Sequence, residues 1–231
     1  MRRLYYVPII HTSADLGVIG GEAFRRGAER TGEDVWTKHV ETVSNFWLAL
    51  EGYFSAFDAH GVRIYQDGMM TDGEMGERIV KEGAEKGSKN SMIILELLKK
   101  GAILTKTEDL GLLRKEYTLL LEISKAAGPV EKLWTYLKYR LIKKRLLKKR
   151  DEYIAGRING TLKDQETAVL FIGAYHDVRP GLAADIHVIE VKDIKKVRDY
   201  QGKFIHPLRY KDEIAVLLKY LVSRVGPMKN N

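Results

Sequence analysis

The chain has 231 residues, 45% of them apolar and 30% charged, with a formal net charge of +8 and no cysteine. That length suits one large domain, or one domain with an elaboration, and the apolar share is enough for a substantial core. Without cysteine there is no disulfide framework, no thiolate nucleophile and no thiolate metal site, so any metal would need His, Asp and Glu. The excess of Lys, Arg and Glu resembles thermophile surfaces built on ion-pair networks. Met1-Arg2-Arg3 leads into a short apolar run with no cleavage-like segment, and no stretch reaches the roughly 20 apolar residues that span a bilayer. A soluble, cytoplasmic protein without a membrane partner is expected.

In chain order, residues 4–10 read as a buried strand ending at His11. A loop with Gly17, Gly20 and Gly21 leads to a helix near 22–30, which Thr31-Gly32 breaks. Residues 35–59 follow as a helix with Val40, Val43, Trp47 and Leu50 on one face. Residues 62–66 form a second strand, and Asp67-Gly68 opens a loop. Helices near 74–86 and 88–100 end at Gly101, and 102–105 is a short third strand. A helix runs from Thr107-Glu108-Asp109 to about 127, where Gly128-Pro129 interrupts it. A long helical stretch reaches toward 162, bent or broken near Gly156 and Gly160. Residues 167–173 are the clearest strand. Residues 185–191 form another, with Ile186, Val188 and Glu190 alternating outward, and a last helix covers 211–224. Strands separated by long helices predict an α/β fold, a mainly parallel sheet covered on both faces, in one domain with a helical elaboration over about 74–163.

Two of these strands stop at a histidine, His11 and His176, and ligands of open α/β sheets sit outside the carboxyl ends of the strands. A lone histidine there is usually structural; a pair drawn from both ends of the chain is a candidate site. Asp67 also follows a strand, although its default role is a turn with Gly68. Imidazole and carboxylate suit a divalent ion such as Zn, Mn or Co. In that reading His11, His176 and Asp67 are the metal ligands, and Glu22 is the base for a metal-bound water. Helix-dipole complementation is the stronger default for Glu22. Arg150, on the long helix, is a candidate clamp for a carboxylate or phosphate, against a surface ion pair of small value. Gly173 allows close backbone approach before His176. No HExxH, GxSxG, GxGxxG or P-loop pattern is present.

The segment Lys149-Arg150-Asp151-Glu152-Tyr153-Ile154-Ala155, followed by a strand ending Gly173-Ala174-Tyr175-His176, resembles the TraB/GumN/Tiki family. That family pairs an Arg-containing helix with a strand ending Gly-x-x-His and begins with a similar strand. Here Pro8-Ile9-Ile10-His11 holds the first place, with Pro8 instead of glycine, and Asp151 stands where Asn is common. The resemblance covers the first 22 or so residues and about 148–191. It implies a fold related to the erythromycin-esterase and haem-binding ChaN groups and a metal-dependent peptidase or hydrolase. It places the motif histidines at His11 and His176, the glutamate at Glu22 and the arginine at Arg150.

Three readings follow. The first is a metal-dependent, peptidase-like hydrolase acting in a cleft around His11 and His176. The second is a non-catalytic protein of the same fold that binds a small molecule, peptide or anion there. The third is a nucleic-acid binder using the basic stretch 138–150. This last is disfavoured because Leu141, Ile142, Leu146 and Leu147 interleave the charges as in an amphipathic helix with a solvated face. Homo-oligomerisation is left open.

Overall fold

The computed structural model describes residues 1–12, 14–15 and 20–226; at 20, 22–24 and 124 it describes the backbone alone. Five parallel strands form one sheet: β1 (Arg2–Ile9), β2 (Arg63–Gln66), β3 (Ile103–Thr105), β4 (Thr167–Gly173) and β5 (Ile186–Glu190), in the spatial order β3-β2-β4-β1-β5. The helices are α1 (Gly20–Thr31), α2 (Glu33–Ser55), α3 (Gly73–Glu85), α4 (Lys89–Lys99), α5 (Leu110–Lys125), α6 (Pro129–Thr161), α7 (Ile194–Phe204) and α8 (Lys211–Val222). The fold is the α/β class expected, helix-rich with helices flanking the parallel sheet.

Strand alternation divides the core into two layers. Val7, Ile9, Ile64, Val169 and Phe171 face Phe46, Trp47 and Leu50 of α2, Ile94 of α4 and Leu221 of α8. Leu4, Tyr6, Tyr65, Leu170 and Ile172 face Ile154, Ala155 and Ile158 of α6. The central strands β1 and β4 are buried on both sides, which is why their sequences are nearly continuous apolar runs. Pro8 is tolerated in β1 for a directional reason. The Tyr6 carbonyl accepts from Val191 N–H on the β5 side, and β5 pairs with β1 only as far as Tyr6. Two residues on, the side of Pro8 that lacks an N–H faces past the end of β5.

Four expectations need correction. Helix α7 lies where the sequence predicts no element, yet Asp193 caps it by accepting from Lys196 N–H (2.9 Å), and Ile194, Val197, Tyr200 and Phe204 recur at helical spacing on its buried face. Gly202 and five charged residues masked that period. Helix α6 runs unbroken through Gly156 and Gly160. Both point into open space, and the packing of Ile154, Ala155 and Ile158 on the sheet outweighs a glycine cost of about 1 kcal/mol each. Val40 is exposed, outside the buried face of Val43, Trp47 and Leu50. In β5, Ile186 and Val188 pack inward beneath α6, and His187 is the exposed residue between them.

Candidate functional site

All five strands run the same way, so the carboxyl ends of β1, β2, β3 and β4 open on one edge of the sheet. His11 emerges two residues past β1, where Trp47 Nε1–H donates to the Ile10 carbonyl (3.1 Å) and fixes the strand exit. Asp67 follows β2. Its N–H donates to the Phe171 carbonyl (2.8 Å), and Gly68, at φ +80°, turns the chain away behind it. His176 closes a turn after β4 by donating its N–H to the Gly173 carbonyl (2.9 Å). The His176 carbonyl accepts from Tyr6 Oη–H (3.1 Å) and from Arg198 (3.2 Å), so the turn is held from two sides.

These elements bring His11, Asp67 and His176 together. Both imidazole Nε2 atoms stand 3.7 Å from the same oxygen, Asp67 Oδ2. That oxygen accepts from Gly173 N–H (3.1 Å), and Oδ1 accepts from Arg150 Nη2 (2.6 Å). Arg150 therefore reaches the site, on the internal side. It also donates to Glu108, which is fully buried, and to Glu116, so its guanidinium is engaged by three carboxylates. Behind His176, Asp151 Oδ1 accepts from Nδ1 (2.5 Å) and Oδ2 accepts from Asp177 N–H (3.1 Å). The backbone of Glu22 lies in the first turn of α1; its side chain lies outside the described residues.

Glu108, with Asp109, is one of the carboxylates that the sequence places after a strand, with helix capping as its default role; Glu116 and Asp151 are not marked as site residues by sequence. Glu108 had a topological signal, since it follows the carboxyl end of a parallel strand as Asp67 and His176 do. Its proximity to the Asp109 helix cap hid this; Asp109 is the residue that caps α5, accepting from Leu112 N–H (2.9 Å). Glu116 and Asp151 sit on helix faces whose direction depends on how α5 and α6 pack.

Four carboxylates (Asp67, Glu108, Glu116, Asp151) thus surround one guanidinium and two imidazoles. Burial disfavours the charged form of His176, but the charge of Asp67 and the hydrogen bond to Asp151 overcome it, and its pKa is raised. His11 is likewise raised: burial acts against it, and the hydrogen bonding and charge of Asp67 outweigh that. Burial pushes Glu108 up to about 7 against the pull of Arg150. Burial raises Asp67 too, but His176, His11 and Arg150 together hold it well below the ordinary carboxylate range. The cluster thus raises the proton affinity of both imidazoles and Glu108 and lowers that of Asp67.

Of the three side chains that converge at Gly173, His11 is the most exposed. The His11 side chain is 37% exposed, whereas those of His176 and Asp67 are 6% and 9% exposed. Beside His11 and Asp67 lies an open groove of about 800 Å³, lined by Asp15, Gly68, Met70, Leu110, Arg114 and Tyr117 among others. The floor of the cluster is Gly173. A methyl group there would lie 3.1 Å from Asp67 Oδ2, 3.4 Å from His11 Nε2 and 3.6 Å from His176 Cδ2. The space above this glycine is where the three functional side chains meet.

That space also tests the expected divalent ion. The donor types match one, but a metal needs ligand distances of about 2.0–2.2 Å. Side chains that share an ion also need free lone pairs aimed at it. Asp67 already serves Arg150 and Gly173 N–H, and its charge raises the pKa of both imidazoles. Among the described residues, no group of three or more His, Asp or Glu side chains is arranged to hold a metal ion. No protein-family model, curated protein sequence or solved structure matches the chain.

Proposed function

We propose that this cleft is the active site of a hydrolase that cleaves a carbonyl-centred bond in a peptide-like substrate, with the attacking water held at the exposed face of His11. The observation that carries the reading is the convergence of His11, Asp67 and His176 on Gly173, whose missing side chain lets them approach one another. The resemblance to the TraB/GumN/Tiki family, carried by Arg150 and Gly173-Ala174-Tyr175-His176, points the same way.

In this reading the water oxygen bonds to the carbonyl carbon. Its proton passes to His11 and then to the leaving nitrogen or oxygen as the C–N or C–O bond breaks. Asp67 stabilises the imidazolium that His11 becomes. His176 and Asp151 hold Asp67 from behind, as positioning residues. Arg150 balances the buried carboxylates and does not grip substrate. The groove over Met70, Leu110 and Tyr117 receives an apolar side chain, with Arg114 at the rim for an anionic group. A divalent ion there would have to compete with Arg150 and Gly173 N–H for the Asp67 oxygens.

The test is hydrolysis of aminoacyl p-nitroanilides and p-nitrophenyl esters by the purified protein in EDTA, alongside His11→Gln and Gly173→Ala. Both variants are expected to lose about 100-fold or more in rate, His11→Gln without loss of folding because His11 sits at the mouth. Unchanged rates in both would overturn the reading. Tight binding of these compounds without turnover would favour a non-catalytic cleft. Stoichiometric Zn, Mn or Co that disappears in His11→Gln would restore the metal-dependent form.

A further inference from the structure

Helix α6 does two unrelated things along its 33 residues. Its C-terminal half packs on the sheet and delivers Arg150 and Asp151 to the cleft. Its N-terminal half leaves the body of the molecule with α5 as a helical hairpin. On that half, the side that also carries half-buried Tyr139 and buried Leu146 leads down to Arg150. The opposite side carries Val130, Leu133, Trp134, Leu137 and Leu141, which are between 41% and 82% exposed. At about 100° per residue these five fall within one stripe, about 18 Å long. Scattered exposed apolar residues need no explanation; five contiguous ones including a tryptophan do.

Charge decides what covers them. Between 129 and 149 the helix carries eight Lys or Arg against one Glu, and those cations are exposed. Arg140 and Arg145 flank the apolar stripe, as does Lys138, which is paired with Glu122 of α5 (2.7 Å), and Lys144 continues the stripe. A second copy docked on this face would bring two strongly basic helices together. A nucleic acid would use the cations and leave the apolar stripe unused. An interface of headgroup phosphates over acyl chains satisfies both features, and tryptophan favours that boundary. We propose that the exposed face of the α5–α6 hairpin lies on an anionic lipid surface, with Trp134 and its apolar neighbours entering the headgroup–acyl boundary and the flanking cations meeting lipid phosphates. No helix among the described residues is long and apolar enough to cross a membrane; lying on one requires only such a face. Because α6 is one rigid helix, the cleft residue Arg150 stands about 14 Å along it from Leu141.

The experiment is vesicle flotation of the full chain with phosphatidylcholine alone and with added phosphatidylglycerol, read together with tryptophan emission. Trp47 is buried and Trp36 packs against His39 and Phe204, so Trp134 is the reporter. Binding to anionic vesicles with a blue shift is expected. Trp134→Ser/Leu141→Ser should lose the shift and weaken binding roughly tenfold or more. Lys144→Glu/Arg145→Glu should weaken it comparably. All four side chains are solvent-facing, so thermal melts of both variants should match the parent. Failure to float with anionic vesicles, equal binding to neutral ones, or a dimer in free solution that Trp134→Ser/Leu141→Ser dissolves would each overturn the proposal. Salt-sensitive nucleic-acid binding indifferent to Trp134→Ser, with no vesicle binding, would overturn it in favour of the charges alone.

Discussion

Asp67 carries more of the site than any other side chain, because both of its oxygens are committed and in different directions. Arg150 and Gly173 N–H hold it in place, which leaves the line from Oδ2 toward the two imidazoles as its open electrostatic face. Asp151 has the complementary task of fixing which nitrogen of His176 faces the cluster, since Nδ1 is taken by the 2.5 Å bond. This can be checked without knowing a substrate. Asp151→Asn keeps an acceptor for Nδ1–H but removes the charge, so the His176 pKa should fall from its raised position. His11, which does not touch Asp151, should move less. Titration of the imidazole C–H resonances by NMR measures both; a His176 titration indifferent to Asp151→Asn would remove Asp151 from the proton-holding group.

At the scale of elements, the site is assembled by the ends of strands and the starts of helices. Ser88 shows the coupling. Its hydroxyl oxygen accepts from Ser91 N–H (3.1 Å) as the N-cap of α4, and its O–H donates to Asp15 Oδ1 (2.5 Å). The other Asp15 oxygen accepts from Thr12 N–H (2.6 Å), immediately after His11. One serine therefore starts a core helix and anchors the exit of β1. Ser88→Ala is expected to cost about 1 kcal/mol as a lost cap, which is roughly 2–4 °C in Tm for a chain of this size. It should also loosen the His11 segment, which amide exchange at Thr12 would report. Lys192 closes α8 from the other side of the molecule. It is 2% exposed, it donates to the carbonyls of Tyr220, Leu221 and Ser223, and burial lowers its pKa to about 8.

For the molecule as a whole, the buried cluster predicts an unusual pH profile of stability. Glu108 keeps its proton up to about 7 when folded but loses it near 4.5 when unfolded, so stability falls as pH rises through that window. The difference corresponds to roughly 3 kcal/mol. The raised imidazoles act in the same direction above 6.5, their contribution being complete below it and lost as pH climbs through their folded pKa values. Asp67 acts the other way, its contribution being present above 3.8 and lost in stronger acid. Thermal melts should therefore peak in mild acid, and Glu108→Gln should flatten the decline between 4.5 and 7; a Tm that rises steadily to neutrality would contradict the assignment of the Glu108 proton. The strands, their parallel order of use, the two strand-end histidines, Asp67 and Arg150 were legible in the sequence. Each is announced by a local pattern: an apolar run, a glycine turn, or a charge placed where a run stops. Helix α7 was not, because polar residues diluted its period, and neither was the unbroken course of α6, because packing against the sheet overrides what glycine costs in isolation. The sequence by itself determined that two imidazoles would leave strands at the same edge, since parallel strands share a direction. Only the tertiary structure decided that both would face one carboxylate oxygen, that Glu108, Glu116 and Asp151 would surround the arginine, and that one half of α6 would stay uncovered. Those outcomes depend on the rotation and distance of packed elements, which no stretch of neighbouring residues encodes.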